Sequence, residues 1–133
     1  MISMKTKTIK QTVIFKASPH EVYEALMDSK KHSTFTGDKA DIGKKVGDKF
    51  TAYGDYIEGE NMELIPSKKI VQKWRAIDWP EGYYSKVTFL LKNIKEGTQL
   101  NFIHEGVPEE HYEDIKQGWI DHYWDKMKES FGW

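Results

Sequence analysis

The spacing of apolar residues changes period three times along the chain. "KTIKQTVIF" (Lys7 to Phe15) alternates and is rich in β-branched residues, which predicts a first strand. In "ASPHEVYEALMDSKKHSTF" the spacing turns helical, with Val22 and Leu26, and Tyr23 beside them, as the apolar stripe. Ser18 stands as N-cap, Pro19 at the first helical position and Glu21 three residues after the cap, the signature of a capping box with a proline start. Asp28 and Ser29 close that helix and open a short second one through His32 and Phe35. From Gly37 to His104 alternation returns, in short runs separated by turn residues. "ADI" runs to Gly43, Gly47-Asp48 and Gly54-Asp55 punctuate "KVGDKFTAYGD", and "YIEGENMELIP" stops at Pro66. "KKIVQKWRAID" ends before Pro80, and "IKEG" joins "YYSKVTFLLKN" to "TQLNFIH" as a hairpin closing on Gly97. About six strands at hairpin spacing predict an antiparallel meander. In "VPEEHYEDIKQGWIDHYWDKMKESFGW" the helical period is back: Ile115, Trp119, Tyr123 and Met127 form an i, i+4 row, with Ile120, Trp124 and Phe131 beside it. Pro108, Glu109 and Glu110 sit where a helix N-terminus favours them.

This order of elements is that of an α+β helix-grip: a curved antiparallel sheet wrapped around a long C-terminal helix, with two short helices after the first strand. Residues 1–133 read as one domain, since 133 residues are too few for two good cores and no repeat or linker interrupts them. Aromatic residues make up 14% of the chain, so the core leans on large rings. The net charge is -1, from 20 basic and 21 acidic residues, and offers no basic field for nucleic acid. Lys5, Lys7 and Lys10 read as a solvated strand edge. The absence of cysteine excludes disulfides, thiol nucleophiles and cysteine-ligated metals. Neither a signal-peptide core nor an apolar run near ~18 residues appears, so no membrane is expected and the cytoplasm is the expected address.

The stretch "IVQKWRAIDWPEGYY" raises the first functional question. Alternation puts Ile70, Gln72 and Trp74 on one face and Val71, Lys73 and Arg75 on the other, so Trp74 points toward the long helix. Trp79-Pro80-Glu81-Gly82 then forms a wide loop. In one reading Trp79 pins this loop to the sheet. In the other, Lys73, Arg75, Trp79 and Glu81 form a partner-binding surface, an exposed ring beside a guanidinium. The inward face collects Val87, Phe89 and Leu91 on one strand and Leu100, Phe102 and His104 on the next, with Phe50, Tyr53, Trp74, Trp119 and Tyr123 as companions. These residues either fill the interior at native density or line a ligand cavity. Asn61 shares a face with Gly59, Glu63 and Ile65. If that face is inward, Asn61 and Glu63 orient a ligand, and if it is outward, Met62 and Leu64 belong to the core. His111 and His122 lie ~16 Å apart along a helix, too far for one metal to bridge. The adjacent pairs Glu109/Glu110 and Glu113/Asp114 point apart, and no nucleotide or nucleophile motif occurs. No catalytic residue, metal or cofactor is assigned.

Several of these motifs together resemble a known family. "IVQKWRAIDWPEG", the approach "GENMELIPSKKIV" and the ending "GVPEEHYEDIKQGWIDHYWDKMKESFGW" are similar to the C-terminal domain of activators of heat-shock protein 90 ATPase, over about Thr8 to Gly132. The resemblance implies a START-like fold of the SRPBCC superfamily. In the eukaryotic co-chaperones this domain follows an N-terminal domain, and together they clamp the chaperone dimer and speed its ATP hydrolysis. The N-x-N-N-W-H-W segment that opens that other domain is not found in the sequence. Three functions are carried forward: a module binding a heat-shock protein 90-type chaperone, a carrier of a small apolar ligand between sheet and helix, and a cavity enzyme resting on His104 or Glu63. Trp133, at the very end, reads as a core-docking or subunit-contact residue.

Overall fold

The computed structural model describes residues 4–131, so Trp133 lies outside the described residues. One sheet of seven strands carries the architecture: β1 (Thr6–Phe15), β2 (Asp41–Ile42), β3 (Lys49–Ala52), β4 (Ile57–Ile65), β5 (Lys69–Ala76), β6 (Ser85–Ile94) and β7 (Gly97–Pro108). Their order across the sheet is β1-β7-β6-β5-β4-β3-β2, and every neighbouring pair is antiparallel. Strands β2 to β7 therefore form the predicted meander, and β1 closes it by pairing with β7 from Thr6↔Pro108 to Phe15↔Thr98. The α+β helix-grip read from the order of elements is the fold observed.

Helices α1 (Pro19–Met27) and α2 (Ser29–Thr36) follow β1 with the predicted caps. The Glu21 amide donates to Ser18 Oγ at 3.2 Å while the Ser18 amide donates to the Glu21 carboxylate at 3.4 Å, which satisfies two donors that a helix start leaves open. The Asp28 carboxylate accepts from the Lys31 amide at 3.0 Å, and Gly37 ends α2 in the left-handed conformation, φ +77°.

The C-terminal run departs from the uniform helix expected. A 3₁₀ turn (Glu109–His111) leads into α3 (Tyr112–Trp119), then a π-helical segment (Ile120–Trp124), then α4 (Asp125–Ser130). A π turn holds one residue more than an α turn. It lets the sequence neighbours Tyr123 and Trp124 both face the sheet, where they are 5% and 3% exposed, with Trp119 and Met127 buried on either side. Apolar spacing alone carries no signal for that extra residue.

A second irregularity corrects the reading of "EGENMELIP". Asn61 pairs with Gln72 but Glu63 with Val71, so Met62 is the extra residue of a β-bulge. Ahead of the bulge Gly59 and Asn61 face inward. Behind it Glu63 and Ile65 are exposed and Leu64 is half-buried, while Met62 itself is 45% exposed. Neither single-parity reading describes the strand, because one inserted residue swaps the faces. Gly59 is also a contact point: a Cβ there would collide with the Lys73 carbonyl and lie 2.6 Å from the Phe50 ring.

Candidate functional site

The corner after β5 is held from two sides. Arg75 Nη2 donates to the Trp79 carbonyl at 2.8 Å and approaches the Pro80 carbonyl at 3.5 Å, and Nη1 lies 3.6 Å from Glu58. Trp79 is 3% exposed, with its ring 5.3 Å from Trp74, 6.0 Å from Tyr83 and 6.3 Å from His104. Trp79 thus pins the loop to the sheet, and Arg75 clamps the loop backbone from the other face. Both are buried, whereas Lys73 and Glu81 are exposed. Charge is a poor guide to exposure at Arg75, because the Trp79 carbonyl and Glu58 replace part of the water its guanidinium would otherwise need, while the buried Nε is left without a partner among the described residues. Beside Lys73 on the same face, the Tyr84 hydroxyl donates to Glu58 at 2.7 Å, and the Lys73 ammonium lies 6.0 Å from the Tyr84 ring.

The inward face brings together Phe50, Trp74, Phe89, Phe102, His104, Trp119 and Tyr123, all buried. At its centre runs a chain of hydrogen bonds. The Trp119 indole N–H donates to His104 Nδ1 at 3.1 Å, which fixes the imidazole proton on Nε2. That N–H donates to Ser85 Oγ at 2.7 Å, and the Ser85 hydroxyl donates to the Trp74 carbonyl at 2.6 Å. His104 is fully buried and burial pushes its pKa down to about 3. His32 uses the opposite tautomer: Nδ1–H donates to the Leu26 carbonyl at 3.2 Å and Nε2 accepts from the Tyr123 hydroxyl at 2.9 Å. Burial depresses its pKa to about 4, against the weaker opposing effect of the Leu26 carbonyl, and burial raises the Tyr123 hydroxyl. Every nitrogen of the two rings is committed to a structural bond.

Asn61 is 1% exposed, and its polar atoms are also occupied. The amide donates to the Gly43 carbonyl at 2.7 Å and the Lys45 carbonyl at 3.1 Å, and its oxygen accepts from Gln72 at 3.0 Å. It ties the β2–β3 loop to the sheet.

The space left between sheet and helix has two parts. The enclosed part, among Phe50, Trp74, Phe89, Trp119 and Tyr123, measures about 20 Å³, room for a single water. The open part is a cleft of about 410 Å³ at the end of the grip. Tyr53, Tyr56 and Trp74 form its sheet side, Ile115, Gly118, Trp119, His122 and Tyr123 its helix side, and Asp38 and Asp114 its rim. Tyr53 donates to the His122 carbonyl of the π segment at 2.6 Å and holds a left-handed backbone, φ +51°. Of the nine residues proposed for a cavity, Tyr53, Trp74, Trp119 and Tyr123 reach this cleft. Tyr56, Asp38 and Gly118 escaped the sequence reading, and Asp114 and His122 entered it only as a carboxylate pair and a metal-ligand candidate; a glycine inside an otherwise strong helix was the one available signal for the cleft. Among the described residues, no group of three or more His, Cys, Asp or Glu is placed to hold a metal ion. No described helix is long and apolar enough to cross a membrane.

Comparison with known proteins places this geometry in a family. The family model described as Activator of Hsp90 ATPase homolog 1-like protein matches residues 16–132. The chain is 33% identical over 129 residues to an activator of 90 kDa heat shock protein ATPase homolog from Dictyostelium discoideum, covering 96% of this chain and 34% of that protein. It is 32% identical over 126 residues to the human homolog 1, covering 95% and 37%. The chain therefore spans about a third of the length of these relatives. The crystal structure of an HSP90 activator from Plasmodium falciparum superposes with a TM-score of 0.85 at 27% identity, covering 98% of this chain and 97% of that one. The Aha1 dimer from Colwellia psychrerythraea shares the fold, with a TM-score of 0.80 at 19% identity over 94% and 96% of the chains. On this match, over most of its length and its whole fold, the chain belongs to the Activator of Hsp90 ATPase homolog 1-like protein family.

Proposed function

We propose that this domain is a protein-binding module that docks on an Hsp90-type chaperone and raises its ATPase rate. The observation that carries the reading is membership of a family whose relatives are named as activators of that ATPase, across nearly the whole chain. The enclosed interior space of about 20 Å³ is too small for an apolar cargo, which leaves only the open cleft of about 410 Å³ for a small molecule. Of the two residues an enzyme reading would rest on, His104 is committed to buried structural bonds and Glu63 is exposed behind the bulge, facing away from the interior.

The contact surface we assign is the exposed side of the β5 corner, with Lys73 and Glu81 touching the partner and Tyr84 between strands as an aromatic anchor. Arg75 and Trp79 act from beneath, by fixing the loop that presents Glu81. Lys73→Glu is expected to weaken chaperone binding about tenfold, chiefly through slower association, with the melting temperature unchanged. Trp79→Ala is expected to lower the melting temperature as well. Titration calorimetry of both variants against the chaperone, beside thermal melts, checks this. Wild-type affinity in Lys73→Glu contradicts the assigned surface.

A further inference from the structure

The open cleft has a chemistry that the chaperone-binding surface does not use. Its floor is aromatic: Trp74, Trp119 and Tyr123 pack as tilted rings, with Trp74 and Trp119 centroids 5.6 Å apart at 40° and Trp119 and Tyr123 centroids 4.7 Å apart at 46°. Tyr53 continues that wall, 5.9 Å from Tyr123, and Tyr56 stands 44% exposed at the mouth. Its charge has one sign. Asp38 and Asp114 line it and no lysine or arginine does. Neither carboxylate lies within ion-pair distance of a lysine or arginine among the described residues. Burial and then Asp38 raise the Tyr53 hydroxyl to about 12, and Asp78 and Asp114 add to the burial that raises Tyr56, so the carboxylates' field reaches across the cleft.

Gly118 keeps this space open. It lies inside α3, where glycine weakens a helix. Sterics do not demand it: a Cβ there would meet nothing closer than the His122 ring at 3.9 Å. Any longer side chain at 118 would project into the cleft. The residue that costs helix stability is therefore the one that leaves a cleft of about 410 Å³ empty.

We propose that this cleft binds a small organic cation, an alkylammonium seated against the accessible Tyr53 and Tyr56 rings above the Trp74–Trp119–Tyr123 floor and facing the carboxylates of Asp38 and Asp114. A π-face attracts a cation through its quadrupole, and a water-poor aromatic floor strengthens that attraction. The rim carboxylates supply the complementary charge with no lysine or arginine paired to them among the described residues, although one Asp38 oxygen also accepts from the Lys39 amide at 2.7 Å. A neutral apolar molecule of the same shape would gain the floor and lose both charge terms.

The test compares choline with its uncharged carbon isostere, 3,3-dimethyl-1-butanol, by titration into the ¹⁵N-labelled protein at neutral pH. The Gly118 amide and the Trp74 and Trp119 indole resonances report occupancy. Saturable shifts are expected with choline, with the isostere about tenfold weaker or more. Asp38→Asn/Asp114→Asn, both at exposed positions, should weaken choline severalfold and leave the isostere unchanged. Gly118→Leu should raise the melting temperature and abolish choline binding. Equal affinity for choline and isostere overturns the proposal in favour of a merely apolar pocket. Absence of saturable shifts up to about 20 mM choline, a binding free energy weaker than about −2.3 kcal/mol, overturns it outright. Neither result bears on chaperone binding, which is assigned to the opposite, outward face of β5.

Discussion

Between pH 6.5 and about 4, the domain is expected to lose stability at a slope approaching 3 kcal/mol per pH unit, the slope of two protons. The source is the pair His32 and His104, each neutral in the fold and each held to that state by burial. Their folded pKa values, about 4 and about 3, lie below the ordinary 6.5. The unfolded chain therefore binds more protons than the folded chain once the pH drops below 6.5. Stability is complete above that value and drains away as the pH falls toward the folded values, the direction set by the lowered sign of both shifts. Protonation would also break bonds, because Trp119 N–H and the Tyr123 hydroxyl both donate to the ring nitrogens that would have to carry the new proton. Urea unfolding at a series of pH values measures the slope. His32→Asn should reduce it to about one proton. A flat profile over this window would mean that neither ring is buried as described.

Trp119→Ala is expected to cost about 3–5 kcal/mol, the usual cost of emptying a large aromatic from a core. Trp119 packs on Phe102 at 4.4 Å, Tyr123 at 4.7 Å, Trp74 at 5.6 Å and Trp124 at 5.6 Å, so its removal leaves a cavity bounded by both sheet and helix. The indole N–H adds a separable part. Trp119→Phe keeps most of the ring but leaves His104 Nδ1 buried without a donor, a loss of about 1–3 kcal/mol. Denaturant unfolding of the two variants resolves packing from hydrogen bonding. A Trp119→Phe protein as stable as the parent would assign the whole effect to packing.

Much of the fold was legible because its signals are local. The capping box at Ser18, the cap at Asp28, and the stops at Pro66 and before Pro80 mark element ends through short-range chemistry. What escaped was set by insertions and by tertiary partners. The bulge at Met62 reversed the faces of β4, and the π segment brought Tyr123 and Trp124 to the same side; each is a one-residue change that periodicity averages away. Arg75 looked exposed by charge and is buried, since the carbonyls that hold it belong to a loop whose path only the fold determines. The cleft drew Asp38, Tyr56 and Asp114 from three separate segments, and no spacing in the sequence links them.

The most direct measurement is the steady-state ATP turnover of a purified Hsp90-type chaperone titrated with this domain, with Lys73→Glu in parallel. A saturable rise in turnover, shifted to higher concentration in the variant, is the result expected. Turnover that stays flat up to about 100 μM domain, well above the affinity of ordinary transient complexes, would contradict the assignment of this domain as a chaperone-ATPase activator.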